Sequence, residues 1–262
     1  MRAIIFAALL GFALAVPKTS VRRTSAIIEN YPFMASMQYG WANIAWAQNC
    51  AGTLITNNAV LSAAHCYDGK IPAQWRVGLG SASRSNNDTI FNVARFTFHP
   101  SYNVLSLFDA DVAIVHLTSN AVFSQTINNA AVASATSIVF PGLPVTSIGW
   151  GSEQGNARPE QLQRRDITII NQEICEQQYD SLRQRPEFAG WPKVTAGMAC
   201  AGVPNEGGRD ACVGDEGGPV FFTLDRPILV GIHSWSYGCA PSTYPSVIVR
   251  VPLYSNWIVA NA

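Results

Sequence analysis

Charge is scarce in this chain. Of 262 residues only 13% are Asp, Glu, Lys or Arg, and 17 basic side chains face 17 acidic ones, for a formal net charge of zero. No basic run is longer than the pair Arg22-Arg23. That balance removes the electrostatic case for a nucleic acid partner or an anionic membrane surface. No C-x-x-C pair occurs, which argues against a zinc site. Beyond the N-terminus no apolar run is long enough to span a bilayer, and no segment repeats at a fixed period. Disorder is excluded too, because 48% of the residues are hydrophobic, enough to bury a sizeable core in one large domain or two small ones sharing it.

What is present begins with a leader. Arg2 precedes an apolar run from Ala3 to Leu14, and Ala13-Leu14-Ala15 fits the small-x-small cleavage pattern. Residues 1–15 are expected to be a secretory signal, with 16–23 a short propeptide-like segment and 24–262 the folded domain. A secreted, extracellular setting makes the even count of six cysteines read as disulfides rather than metal ligands. Asn87-Asp88-Thr89 is a glycosylation sequon in a polar stretch.

Short β-branched and apolar runs follow one another, separated by Gly, Pro, Asn and Ser. They are Thr53–Thr56, Asp111–Val115, Pro144–Ile148, Asp166–Ile170, Ile228–Ile232 and Ser246–Val251. Many short strands between turn signals predict an all-β barrel or sandwich. Leu253, Trp257 and Ile258 recur at helical spacing, which predicts a C-terminal helix over Leu253–Ala260. Polar residues between Thr118 and Thr126 mark a crossing between two halves, near 117–140.

Three stretches carry chemistry. "LSAAHC" sets His65 beside Cys66, "DADVAIV" sets Asp111 at the head of an apolar strand, and "GDEGGP" is a glycine-rich turn around Glu216. Together with "YPFMASMQ" from Tyr31, "SIGWG" at Ser147–Gly151 and "WIVANA" at the end, they resemble the trypsin/chymotrypsin-like serine protease family in its own order. The likeness is nearest to insect, especially lepidopteran, trypsin-like proteases. It implies two packed antiparallel six-stranded β-barrels with a C-terminal α-helix and catalysis in the crevice between them. It also implies the pairings Cys50–Cys66, Cys175–Cys200 and Cys212–Cys239.

In that family a serine hydroxyl attacks the scissile carbonyl, a histidine takes and returns the proton, and a buried aspartate holds the histidine's tautomer. His65 and Asp111 match the last two roles. Glu216 stands at the position of the first. A carboxylate has no hydroxyl proton to lose and adds charge beside the Gly214 and Glu216 N–H groups, which the resemblance makes the oxyanion hole. Loss of the nucleophile alone costs roughly a millionfold in rate in an unrelated serine protease. The activation motif departs as well. Family zymogens are cut after a basic residue before an Ile-Val-Gly-Gly-type motif, and the new α-amino group pairs with the aspartate that precedes the serine. Asp215 keeps that aspartate, but Arg23 is followed by Thr24-Ser25-Ala26, so Asp215 is expected to lack its partner.

The specificity pocket is mixed. Asp210 matches the acid that pairs with Arg or Lys side chains in the trypsin branch, while Ser236 and Ser246 replace glycines and should narrow the pocket. His99, His116 and His233 read as structural or surface residues, and Asp109 as a solvated loop residue. No metal and no organic cofactor is expected. These departures predict a secreted, catalytically inactive homologue, expected as a monomer. It would bind a protein or peptide, as a decoy for protease inhibitors, a cofactor of an active protease or a recognition protein. Two alternatives stand beside it: an active trypsin-like serine endopeptidase cleaving after Arg or Lys, for example in digestion, and a storage or structural protein on a protease fold.

Overall fold

The computed structural model describes residues 24–41, 45–86, 89–152, 157–203, 213–239, 241 and 243–262. The expected leader and propeptide-like segment, the sequon at Asn87, and the positions of Asp210 and Cys212 lie outside the described residues. After β1 (Thr24–Ser25) the chain winds β2 (Met34–Trp41), β3 (Ala45–Leu54), β4 (Ala59–Ser62), β5 (Trp75–Leu79), β6 (Thr89–Phe98) and β7 (Ala113–Leu117) into a closed barrel of order β2-β3-β4-β7-β6-β5. Residues 118–143 cross over, and within them β8 (Ala131–Val132) lies parallel to a strand of the second half. That half comprises β9 (Pro144–Gly149), β10 (Gln163–Ile170), β11 (Met198–Gly202), β12 (Pro219–Thr223), β13 (Pro227–Trp235) and β14 (Ser246–Arg250). Because β9 pairs both β12 and β10, these six strands also close, and every pairing within the two rings is antiparallel. The structure is thus the expected pair of six-stranded antiparallel barrels.

The strand-forming runs act as their composition dictates. Alternating side chains of β10 point Arg165, Ile167 and Ile169 inward and Asp166 outward. The first barrel is filled by Leu54, Leu61, Trp75, Val77, Ile114 and Val115, the second by Val145, Ile167, Ile169, Val220, Val230 and Ile248. Two expected boundaries shift. The Thr53–Thr56 run is the end of β3, not a separate strand, because Thr56 already belongs to a turn in which its hydroxyl donates to Asn58 Oδ1 at 3.1 Å. Asp111 and Val112 precede β7.

The C-terminal helix α2 spans Val251–Asn261. Another helix, α1 (Gln172–Arg183), was not expected from the sequence. Asn171 caps it by accepting from Ile174 N–H at 3.1 Å, and it buries Cys175, Tyr179 and Leu182, one face at i, i+4, i+7. Among the described residues no helix is long and apolar enough to cross a membrane.

Cys50 pairs with Cys66 and Cys175 with Cys200, as the resemblance implies. Cys239 is also disulfide-bonded. The first bridge joins β3 to the one-turn helix Ala64–Cys66. It closes a loop with a sequence separation of 16, so replacing both cysteines by alanine should cost about 3 kcal/mol of unfolding free energy. A urea titration under non-reducing conditions checks this, and an unchanged midpoint would contradict it.

Candidate functional site

Asp111 is fully buried at the floor of the crevice. The loop leading to it is forced: Phe108 and Ala110 have φ of 63° and 48°, unusual for residues with a Cβ. That turn aims the carboxylate at three donors. Oδ1 accepts the His65 backbone N–H at 2.8 Å, while Oδ2 accepts His65 Nδ1 at 2.7 Å and the Ser234 hydroxyl at 2.5 Å. An acceptor at Nδ1 places the ring proton there and leaves Nε2 as the basic face. The Ala64–Cys66 turn carries the imidazole, and the Cys66 sulfur of its disulfide lies 3.8 Å from Nε2. Phe108 meets its ring edge-on at 5.3 Å and stacks on Trp235.

Opposite lies the glycine-rich turn, clamped between the barrels. Ala51 of β3 donates its N–H to Glu216 O at 2.8 Å, and Gly217 N–H donates to His233 O of β13 at 2.8 Å. Gly217 is at φ +80°, where an added Cβ would overlap Ser62 Oγ and the Ala51 carbonyl. This position therefore demands glycine. Gln48 steadies the turn by donating Nε2 to Gly214 O at 2.8 Å, and Arg158 donates to the Gln48 carbonyl at 2.8 Å.

Glu216 is half-buried at the edge of the cleft, and its carboxylate turns away from His65. Its Oε2 folds back and accepts the Gly214 N–H at 2.5 Å, and its own N–H also contributes. The carboxylate thus rests on the same N–H groups that the resemblance assigns to an oxyanion. Burial raises the Glu216 carboxyl above the ordinary range; the two N–H groups oppose the rise and the charge of Asp215 adds to it. For His65, burial alone would lower the pKa. The charge and hydrogen bond of Asp111, with a smaller contribution from Glu216, outweigh burial and raise it.

The preceding residue corrects another expectation. Asp215 is buried and does not wait for a partner: Arg165 Nη2 donates to its Oδ2 at 2.7 Å, and Gly151 N–H donates to its Oδ1 at 2.8 Å. Arg165 and Asp215 side chains are 2% and 1% exposed. Arg165 was missed in the sequence, although its signal was there. In "RRDITII" it alternates in phase with Ile167 and Ile169, a charge on a core face. Asp109 is likewise no solvated residue. It is buried and accepts the Thr195 hydroxyl at 2.5 Å, because the loop before Asp111 folds inward. His116 and His233 are buried, and the latter faces Ser147 Oγ at 2.7 Å.

Two hollows meet at His65 and Glu216. One, of about 430 Å³, is walled by Phe108, Trp191 and Trp235; the other, of about 380 Å³, carries Tyr39, Lys70 and Arg158. Ser236 lies in the first and donates to Gly238 O at 2.9 Å. Ser246 is buried on β14 beside it in the barrel wall.

A two-barrel β protein with an Asp–His–Ser network in the crevice between the barrels belongs to the class of chymotrypsin-fold proteins. The family model for trypsin matches residues 20–258. The chain is 35% identical to trypsin CFT-1 of Choristoneura fumiferana, over 90% of this chain and 88% of that one. It is 32% identical to trypsin, alkaline B of Manduca sexta over the whole of both chains. A vitellin-degrading protease of Bombyx mori is 33% identical over 90% and 82%. The chain belongs to the trypsin family. These findings overturn the expected non-enzyme that acts only by binding. Relatives aligned along nearly the entire chain are named as proteases, and the Asp111–His65–Ser234 network stands despite the exchange at position 216.

The charges around His65 yield a titration. Asp111→Asn should lower the His65 pKa, and Glu216→Gln should lower it by a smaller amount. Because the folded pKa is raised, the stability His65 contributes is fully present below the ordinary histidine value and is lost as pH rises through the folded one. NMR titration of the imidazole checks both variants. An unchanged His65 in Glu216→Gln would mean the carboxylate exerts no charge on it.

Proposed function

We propose that the chain is a secreted trypsin-like endopeptidase that hydrolyses peptide bonds after Arg or Lys. The observation that carries this reading is the Asp111 carboxylate, which holds His65 by backbone and ring together beside an open cleft. The names of the relatives support the same class. The leader-like residues 1–15 and the disulfides support secretion. Asp210 is the residue proposed to receive the basic side chain, with Ser236 and Ser246 narrowing its approach.

Glu216 alters one step of the family reaction. With no hydroxyl at position 216, the attacking group in this reading is water. His65 Nε2 takes a proton from the water as its oxygen bonds to the scissile carbonyl carbon. Negative charge passes to the carbonyl oxygen, which takes the Gly214 and Glu216 N–H groups once the Glu216 carboxyl swings aside. Burial disfavours the Glu216 charge and so eases that release. Collapse breaks the C–N bond and His65 returns the proton to the leaving amine, giving an acid and an amine with no acyl-enzyme.

The expected activity is slow. Family sites without a triad member keep about 10³–10⁴-fold acceleration over water. Purified protein should hydrolyse Arg and Lys esters at about that level, His65→Ala should abolish the turnover, and a serine-directed phosphonate should leave position 216 unlabelled. Glu216→Ser should raise kcat and restore labelling. Absence of turnover above the buffer rate, or turnover that survives His65→Ala, would overturn the reading.

A further inference from the structure

In the family that the chain resembles, the aspartate before position 216 receives a freed N-terminus, and the glycine-rich turn forms only then. Here the same carboxylate already holds a cation supplied from within the fold. Arg165 enters from β10, where it sits opposite Ser147 of β9 in the barrel register, and reaches Asp215 at 2.7 Å. The site around them is closed. A Cβ on Gly149 would overlap Asp215 Oδ1, and Gly151 N–H occupies that same oxygen at 2.8 Å. Meanwhile the residue that a cut after Arg23 would free is engaged elsewhere. Thr24 and Ser25 are exposed and pair with Arg164 and Gln163 on β10, and Ala26 N–H donates to Leu162 O at 2.8 Å. The start of the domain is therefore zipped along an edge of the strand whose inner face presents Arg165. A guanidinium stays charged and hydrogen-bonds a carboxylate directionally, so it supplies what an ammonium would.

We propose that Arg165 is a positioning residue: its ion pair with Asp215 sets the Gly214–Gly218 turn in the uncut chain, in place of a cleaved N-terminus. The turn's remaining contacts agree with a set state. Gly218 N–H donates to Asp215 O at 2.8 Å, and His233 N–H to Gly218 O at 2.9 Å. Cleavage after Arg23 then has no conformational work left to do at the site. For its consequence the proposal rests on the endopeptidase reading; its test does not, because hydrogen exchange reads the turn whether or not substrate is consumed.

The experiment compares amide exchange across Gly214–Gly218 in the full secreted chain, the same chain cut after Arg23, and an Arg23→Gln chain that cannot be cut there. Equal protection in all three is expected. In Arg165→Ala the turn should exchange about tenfold faster or more, while Arg165→Lys should keep most of the protection and ethylguanidinium should restore part of it to the alanine variant. Recovery with either cation would show that the charge opposite Asp215, and not the packing of the arginine side chain, sets the turn. In the Glu216→Ser background, ester hydrolysis should follow the same order and be equal before and after cleavage. Protection that rises on cleavage of the otherwise unaltered chain overturns the proposal, and that comparison needs no buried substitution. Unchanged exchange in Arg165→Ala overturns it as well. Loss of hydrolysis with exchange as expected would count against the endopeptidase reading alone.

Discussion

The buried carboxylate of Asp215 is the constraint on which the crevice depends. A charge this deep is tolerated only if its lone pairs are met, and here a β10 guanidinium and the Gly151 N–H, just after β9, are among the groups that meet them. Removing one partner of such a pair commonly costs about 3–5 kcal/mol, because the other charge is left stranded. The turn that follows Asp215 inherits this fixity. It is then tied to β3 of one barrel through Glu216 O and to β13 of the other through Gly217 N–H. The two barrels thus share a single five-residue turn, and the site forms where they do.

His65 is held by a different logic. Its anchor, Asp111, lies in the first barrel, yet Ser234 of the second barrel donates to the same oxygen as the imidazole does. The imidazole orientation therefore depends on both barrels being seated together. The unusual backbone at Phe108 and Ala110 belongs to this arrangement: it bends the loop so that Asp109 and Asp111 both face inward, and it brings the Phe108 ring over His65. Strain there is offset by the hydrogen bonds it permits.

Much of this was legible in the sequence, and the parts that were not share a cause. The all-β character follows from strand runs bounded by turn residues, whereas the two barrels and the site positions at 65, 111 and 216 came from the motifs that carry the family resemblance. α1 was missed because "QEICEQQYDSLR" is mostly polar and its buried face is only three residues wide. Arg165 was missed because a charge is habitually assigned to the solvent face, and its β10 phase was not followed. Asp109 was read as solvated for the same habit. The expectation of inactivity came from two departures, Glu216 at the nucleophile position and the missing activation motif, weighed against a whole chain. It treated Asp215 as unpartnered, which only the fold could correct, since Arg165 stands fifty positions away.

Glu216 remains the residue that gives the crevice its particular chemistry. A serine in that place would present a hydroxyl to His65 and leave the Gly214 N–H for substrate. The longer carboxyl does neither in the resting state; it folds back and occupies the N–H group itself at 2.5 Å. That contact exists only because Gly214, at φ +103°, turns its N–H inward, with Gln48 holding the carbonyl side. The geometry made for a developing oxyanion is thus preserved and filled by an anion from the same turn. Burial disfavours the charge while the two N–H groups favour it, so the carboxyl is poised between staying and leaving. Any substrate carbonyl that enters must displace it. In the resting crevice the Glu216 carboxyl therefore holds the place a substrate oxyanion would take, while Asp111 keeps His65 oriented beside it.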